Sequence, residues 1–375
     1  MFSWDRFAAI VVKEFTQVRR DRLTFAMMVG IPVLQLVLFG YAINMDPKGL
    51  PMAVVSAESS PFSRSLVHAL EASGYFRVVA QPATESAARA LMAEGDVQFV
   101  LHLPADFSRK LQRGERPVAL MEADASDPAA TGNALAALQT LNQTAVDRDL
   151  GGALAGLRAG PPAFELRVHR LYNPEGITAY NIVPGLMGVV LTMTMVMMTA
   201  LAMTRERERG TMENLLATPV RPFEVMAGKI LPYILIGYVQ VVVILVASWA
   251  LFRVPMVGSL ALLSSILVLF IAANLAVGFT FSTLARNQLQ AMQMTFFFFL
   301  PSMLLSGFMF PFRGMPGWAQ AIGEVLPLTH FLRIVRGILL KGNQWGDIAL
   351  EVAALAAFLA AAGAIAMARY RETLD

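Results

Sequence analysis

The chain has 375 residues, of which 56% are hydrophobic and 15% charged, and its mean hydropathy is positive at +0.56. This composition excludes an ordinary soluble enzyme and predicts a polytopic membrane protein. The net charge of +3 is too small to indicate nucleic-acid binding, and with no cysteine any domain in an oxidising compartment must fold without disulfides.

The N-terminal region predicts a surface helix followed by a membrane span. In residues 1–22 the apolar side chains recur at helical spacing from Trp4 to Val18, so we expect an interfacial helix on the cytoplasmic side. The apolar run Leu23–Ile43 is long enough to cross a bilayer and is the expected first transmembrane helix, residues 23–43. A signal peptide is the alternative, but the run is longer than a typical h-region and no small-x-small cleavage site follows it.

Residues 44–181 form a large insert in which short β-type runs alternate with helical ones. This alternation predicts a separate extracytoplasmic α/β domain. Strands are expected near Met52–Ser56, Phe76–Ala80, Val97–Leu103, Val118–Glu122 and Phe164–Leu171, and helices near Pro61–Ala72, Thr84–Ala93, Ala105–Gln112 and Ala129–Leu150.

Five more apolar runs of spanning length follow in residues 182–375. A charged side chain at the bilayer centre costs about 3 kcal/mol, so the near-absence of charge from these windows indicates transmembrane helices. The predicted fold is therefore an α-helical polytopic membrane protein with six transmembrane helices and an inserted α/β domain. The runs are Ile182–Met203, Ile230–Phe252, Gly258–Ala285, Gln290–Phe312 and roughly Ile348–Ala368, the last containing Glu351 near one end.

The flanking charges predict the orientation. Five Lys+Arg lie in residues 1–22 and five in residues 204–229, which places both termini and this second segment in the cytoplasm. Four basic residues on the other side oppose this assignment without reversing it: Arg313, Arg333, Arg336 and Lys341.

The charged segment 204–229 is the most informative stretch. Arginine and glutamate alternate from Arg205 to Arg209, and Thr211 is placed to cap a short helix with Met212, Leu215 and Leu216 on one face. Pro219 ends that helix, and a second helix is expected to begin at Pro222. Docking into a cytosolic partner and lying flat in the lipid headgroups are both consistent with this pattern.

The run from Arg205 to Pro219 resembles the cytoplasmic loop of ABC-2 type permeases, the membrane subunits of one class of ATP-driven exporters. It has the Glu-rich run, Gly-Thr, a further Glu, paired leucines and Thr-Pro. The resemblance implies that the short helix is a coupling helix that contacts a separate ATPase. The residues to which it assigns this role are Glu206, Glu208, Gly210, Thr211, Glu213, Leu215, Leu216, Thr218 and Pro219.

Three other stretches extend the resemblance over nearly the full chain. Pro51–Val79 and Leu171–Leu191 are similar to the start and end of the extracytoplasmic domain in the long-loop branch of that family. Leu305–Gly342 resembles its re-entrant helical hairpin, here residues 313–342, dipping into the outer leaflet; an outer loop with two surface helices is the alternative. Three of the charged residues in this hairpin are Glu324, Arg333 and Arg336. They could pair with one another or bind lipid phosphates, but we expect each to lie on a solvated face.

Catalytic and nucleotide-binding motifs are missing from these 375 residues. There is no GxxxxGK[ST], HExxH or GxSxG, so we expect no enzyme activity, no cofactor or metal bound by this chain, and ATP with Mg on a partner ATPase. The histidines lack metal-ligand spacing and are expected on the surface or in loops: His68, His102, His169 and His330.

Since the spans lack ionisable residues at their centres, ion coupling is disfavoured and a polar or methionine-rich path for an amphipathic cargo is the expectation. Helix packing or lipid contact is the alternative role for each candidate. The candidates are Thr194, Met197, Gln240, Asn274 and Gln293.

Together these features predict a permease subunit of an ABC-2 exporter in a bacterial cytoplasmic membrane. Its expected partners are an ABC ATPase, a second identical or paralogous permease, a periplasmic adaptor and membrane lipid, but not nucleic acid. The alternative is a membrane receptor or scaffold that does not transport and senses a ligand through its outer domain.

Overall fold

A computed structural model of the chain describes residues 47–150, 154–156, 161–208 and 222–371. It contains an α/β domain followed by a bundle of long helices. We use "outer end" for the end of the bundle that adjoins the α/β domain and "inner end" for the opposite one. The expected first span, Leu23–Ile43, and the surface helix before it lie outside the described residues.

The α/β domain is built on a five-stranded sheet of order β2-β1-β3-β4-β5. Strands β2, β1 and β3 are parallel, β4 runs antiparallel to β3, and β5 is parallel to β4. The strands are β1 Leu50–Ser56, β2 Phe76–Ala80, β3 Phe99–Leu103, β4 Val118–Asp124 and β5 Glu165–Leu171, all close to the predicted positions.

Helices cover both faces of this sheet. On one face, Met52 of β1 and Phe99 of β3 form a core with Leu66, Phe107 and Leu138, which come from three helices. On the other face, the remaining helix packs mainly against Ala53 and Val100. The helices are α1 Pro61–Ala72, α2 Glu85–Glu94, α3 Phe107–Gln112 and α4 Pro128–Thr144, with α2 on the second face.

The bundle begins with α5, a continuous helix of 31 residues that extends the predicted span at both ends and carries the charged residues up to Glu208. A further helix begins at Pro222, as predicted. The helices are α5 Thr178–Glu208, α6 Pro222–Ala247 with a π turn Ser248–Phe252, α7 Leu260–Leu284, α8 Gln288–Leu305, α9 Gly317–Gly323, α10 Pro327–Arg336 with a π turn Gly337–Lys341, and α11 Trp345–Arg371.

Four of the described helices are long and apolar enough to cross a membrane: Thr178–Arg205, Tyr233–Phe252, Leu260–Leu284 and Trp345–Arg369. The run predicted as the fifth span forms α8, which has 18 residues and is not among the four. The chain is thus a helical membrane protein with at least four candidate spans and an α/β domain before them. The count of six and the re-entrant insertion of α9 and α10 stay predictions.

Close packing between α5 and α7 forms the centre of the bundle. Asn274 and Phe270 of α7 are fully buried, and Phe270 stacks on Phe331 of α10 with ring centroids 4.0 Å apart. A β-carbon at Gly278 would lie 2.5 Å from the carbonyl oxygen of Val196, so only glycine allows the two backbones to approach this closely.

Candidate functional site

At the inner end, Glu208 joins the last turn of α5 to the first turn of α8. Its Oε1 accepts a hydrogen bond from the backbone N–H of Gln288 (2.8 Å) and its Oε2 accepts one from the Gln288 side-chain amide (2.5 Å). The first N–H groups of a helix have no partner within it, so a carboxylate there satisfies a donor and complements the helix dipole. These hydrogen bonds lower the pKa of Glu208.

Most of the predicted coupling residues lie outside the described residues. The structure does not describe residues 209–221, which include Gly210, Thr211, Glu213, Leu215, Leu216, Thr218 and Pro219. Glu206 is described only as backbone within α5. Glu208 is exposed at the edge of the gap. The coupling role of all nine residues stays a prediction.

Within the bundle, the structure brings two of the five candidate path residues together. The hydroxyl of Thr194 in α5 lies 2.9 Å from Oε1 of Gln240 in α6 and 2.7 Å from the carbonyl oxygen of Val190. Both side chains are half-buried, so this polar contact lies at the edge of the helix packing.

The other three candidates are separate from that contact. Asn274 donates to the carbonyl oxygen of Phe270 (2.9 Å), whereas its Oδ1 has no hydrogen-bond partner among the described residues. Oε1 of Gln293 in α8 is buried without a partner in the same part of the chain, and Met197 is half-buried. A third buried polar group, the hydroxyl of Thr192, also lacks a partner there and was not among the five candidates.

The outer end holds a set of polar contacts between the α/β domain and the bundle. Lys341 Nζ lies 2.6 Å from Oδ2 of Asp124, and the two side chains are only 10% and 8% exposed. Asn343 donates to the carbonyl oxygen of Ala93 (3.1 Å), and Arg313 donates to that of Gly95 (2.7 Å).

A further contact involves the start of α4. Oδ1 of Asp127 accepts hydrogen bonds from the backbone N–H groups of Ala129 and Ala130 and from Nδ2 of Asn181 in α5 (2.8 Å). Burial raises the pKa of Asp127, and the positive charge of Arg336 opposes this rise. One carboxylate therefore caps α4 and anchors α5.

An ionic network links α10 to α11 at the same end. Arg333 contacts Oε1 of Glu324 (2.5 Å) and Oε1 of Glu351 (3.0 Å). Nδ1 of His330 forms a hydrogen bond with Oε2 of Glu351, and its Nε2 lies 2.8 Å from the carbonyl oxygen of Glu324.

These contacts correct two expectations. His330 is buried and His102 lies in β3, bonded to Glu122 (3.0 Å), so the surface or loop position expected for all four histidines is wrong for these two. The solvated face expected for Arg336 is also wrong, because its Nε and Nη2 are buried.

Two of the four basic residues that opposed the orientation rule are paired with carboxylates in the fold. Lys341 pairs with Asp124 of the α/β domain, and Arg333 pairs with the nearer Glu324 and Glu351, so both carry little unpaired charge at the outer end. The sequence signal for this site was an excess of positive charge in residues 313–341, but the partners Asp124 and Glu351 could not be identified from spacing. Among the described residues no group of three or more His, Cys, Asp or Glu side chains is arranged to hold a metal ion.

Comparison with known proteins gives the family. The family model described as "ABC-2 family transporter protein" matches residues 22–368. The chain is 29% identical to the "Probable multidrug ABC transporter permease YbhS" of Escherichia coli (strain K12), covering 92% of this chain and 90% of the relative.

Two further relatives come from the same organism. The "Probable multidrug ABC transporter permease YbhR" is 26% identical over 98% of both chains, and the "Inner membrane transport permease YhhJ" is 27% identical over 91% of this chain and 93% of its own. These matches extend over the sequence of the α/β domain, of α5 and of the charged segment 204–229. The chain belongs to the ABC-2 transporter family and is a membrane permease subunit.

Proposed function

We propose that this permease is the membrane part of an ATP-driven exporter that moves an amphipathic or hydrophobic substrate out of the cytoplasm or the inner leaflet. The observation that supports it most directly is α5, which runs without interruption from the anchor at Asp127 to Glu208. A helix of this length is about 46 Å long and joins the outer domain to the segment that resembles a coupling loop.

ATP and Mg bind to a separate ATPase. Glu206, Glu208 and Glu213 of the permease form polar contacts with this ATPase, and Leu215 and Leu216 seat the helix Met212–Ala217 against it. Closure of the ATPase moves this helix and, through α5, the outer domain. The contact between Glu208 and Gln288 supports this mechanism, because it ties the motion of α5 to the start of α8.

The substrate passes beside the polar contact between Thr194 and Gln240, with Met197, Asn274 and Gln293 also lining the path. The half-buried position of the Thr194–Gln240 pair supports a role at a surface that a substrate or second subunit reaches. The printed names of YbhS and YbhR, each a probable multidrug permease, support a cargo of this class.

Two permease subunits, identical or paralogous, assemble with two ATPase subunits in a bacterial inner membrane, with both termini in the cytoplasm. The name of YhhJ supports the location, and the existence of two related permeases in one organism supports a paralogous pair. The α/β domain docks a periplasmic adaptor; normal export by a transporter that lacks residues 50–170 would exclude this docking role.

The test is co-expression with an ABC ATPase encoded beside this chain, purification through a tag on the permease, and measurement of ATP hydrolysis. Glu213→Lys should reduce assembly or the hydrolysis rate by about tenfold, the effect of losing roughly 1.4 kcal/mol at the contact. Glu115→Lys, the same charge reversal at an exposed outer position, is the matched control and should behave as wild type. Failure of the wild-type chain to recover the ATPase, or an unchanged Glu213→Lys complex, refutes the coupling mechanism.

A further inference from the structure

The outer end of the bundle contains a cavity of about 360 Å³ between the α/β domain and the short helices before α11. Its lining includes Glu94 and Asp96 from the end of α2, Asp127 from the start of α4, and Arg336 from α10. The cavity is thus formed by both parts of the protein and carries charges of both signs.

Arg336 is the least satisfied charged group in this lining. Its Nη1 donates to the carbonyl oxygen of Gly307 (3.2 Å), whereas Nε and Nη2 are buried and have no hydrogen-bond partner among the described residues. These two nitrogens lie on one edge of the guanidinium, and their parallel N–H groups match the two oxygens of a phosphate or carboxylate. A buried donor without an acceptor is unfavourable, so this edge calls for an oxyanion.

The nearby carboxylates are engaged elsewhere. Oδ1 of Asp127 already accepts three hydrogen bonds, and Oδ2 of Asp124 is paired with Lys341 at 2.6 Å. Both negative charges act on Arg336 over a longer distance, but neither forms an ion pair with it. The described residues therefore partly balance the charge of Arg336, but they provide no hydrogen-bond acceptor for its Nε and Nη2.

Exposed tryptophans indicate where the cavity lies relative to a bilayer. Trp249 after α6, Trp318 in α9 and Trp345 at the start of α11 are 71%, 43% and 58% exposed at this same end of the bundle. Tryptophan is enriched at the level of the lipid headgroups, so the cavity is placed next to the phosphates of the outer leaflet.

The acidic side of the cavity selects among phosphates. Glu94 and Asp96 are exposed and make no ion pair with the described residues, so a bare anion would be repelled by them while an ammonium group would be attracted. We propose that this cavity binds the headgroup of a zwitterionic phospholipid, with the guanidinium of Arg336 turning to present its covered Nε and Nη2 to the phosphate and the ammonium facing Glu94 and Asp96.

The test measures the thermal stability of the delipidated, detergent-solubilised permease during titration with phosphatidylethanolamine, phosphatidylglycerol or soluble O-phosphoethanolamine. Because a ligand that binds only the folded state raises its stability, phosphatidylethanolamine should raise the Tm of the wild type. Arg336→Gln should need at least tenfold more lipid for the same rise, and Arg336→Lys should be intermediate, since an ammonium cannot form the paired hydrogen bonds. Arg253→Gln, the same charge loss at an exposed outer arginine, should match wild type.

The three ligands separate the sources of the phosphate. An equal response to O-phosphoethanolamine assigns the cavity to a soluble phosphate ester, whereas a response to the lipid alone requires the acyl chains. An equal response to phosphatidylglycerol overturns the zwitterionic assignment. If the wild type responds to none of the three, or Arg336→Gln and Arg336→Lys both respond as wild type does, the site does not exist.

Discussion

At the scale of single residues, a charge can find its partner far away in the sequence. Lys341 and Asp124 are separated by 217 positions, yet their side chains meet at 2.6 Å with little exposure to solvent. A buried ion pair contributes little compared with an apolar pair of the same shape, but removing one partner leaves an uncompensated charge. Such a pair specifies how the two parts of the protein are oriented.

The Lys341–Asp124 pair gives the first prediction. Lys341→Met should lower the free energy of unfolding by about 3–5 kcal/mol, because the carboxylate of Asp124 remains buried without its cation. The double variant Lys341→Met with Asp124→Leu should recover most of this loss. Thermal unfolding in detergent measures both, and additive losses in the double variant would contradict the pairing.

The carboxylate of Glu208 gives a pH prediction. The hydrogen bonds from Gln288 lower the pKa of Glu208 in the folded protein. In the unfolded protein the pKa of a glutamate is about 4.3. The stabilising effect is therefore complete above the unfolded pKa and is lost as the pH falls through the lowered folded value. Glu208→Gln should show a smaller drop in Tm than wild type between roughly pH 6 and pH 3.

The control for that experiment is Glu175→Gln, which neutralises an exposed glutamate in the loop before α5. It should retain the pH dependence of the wild type. An identical pH profile for wild type and Glu208→Gln would show that the contact with Gln288 does not stabilise the folded state.

At the scale of helices and strands, packing distance between backbones is decisive. Gly278 allows α7 to lie against Val196 of α5, whereas Gly363 in α11 has open space where a side chain would begin. Gly278→Ala should therefore destabilise the bundle by about 1–3 kcal/mol through overpacking, while Gly363→Ala should be neutral or slightly stabilising. Comparing the two Tm values in one detergent tests this, and equal values would exclude a close α5–α7 contact.

The same scale shows what the sequence predicts well. Alternating and helical periods located the five strands, and Pro222 marked the start of α6, because these signals are local. Pairing of Arg333 with Glu324 was one of the possible roles taken from the sequence, but its contact with Glu351 and the burial of Arg336 were not predictable, since they depend on how α10 packs against α5 and α11. The extension of α5 through Glu208 was also missed, because alternating charges are compatible with a helix as well as with a loop.

The candidate site was predicted less completely than the fold. Thr194 and Gln240 were selected as isolated polar residues within apolar runs, and their contact required the structure. Asp127 and Asn181 were not selected, because a helix-capping aspartate and a membrane-proximal asparagine look ordinary in a sequence. The residue-by-residue coupling assignment depends on the family resemblance and stays a prediction.

At the scale of the whole molecule, the contacts at the outer end hold the α/β domain in one orientation on the bundle. Nδ2 of Asn343 lies 3.1 Å from the carbonyl oxygen of Ala93, so cysteines at these two positions are expected within reach of a disulfide. The natural chain has no cysteine, and the introduced pair would be the only thiols. Mild oxidation of Ala93→Cys with Asn343→Cys should therefore give an intramolecular cross-link in most molecules.

The matched control moves one cysteine to the other end of α2. Ser86→Cys with Asn343→Cys separates the thiols by a further 7 residues of helix, about 10 Å, which is too far for a bond without rearrangement. Mass spectrometry of non-reduced peptides distinguishes the two outcomes. Cross-linking of the Ala93 pair alone requires the domain to rest on the bundle through α2, as the ion pair of Lys341 with Asp124 also requires. Equal cross-linking of both pairs would mean that the α/β domain moves freely relative to the bundle.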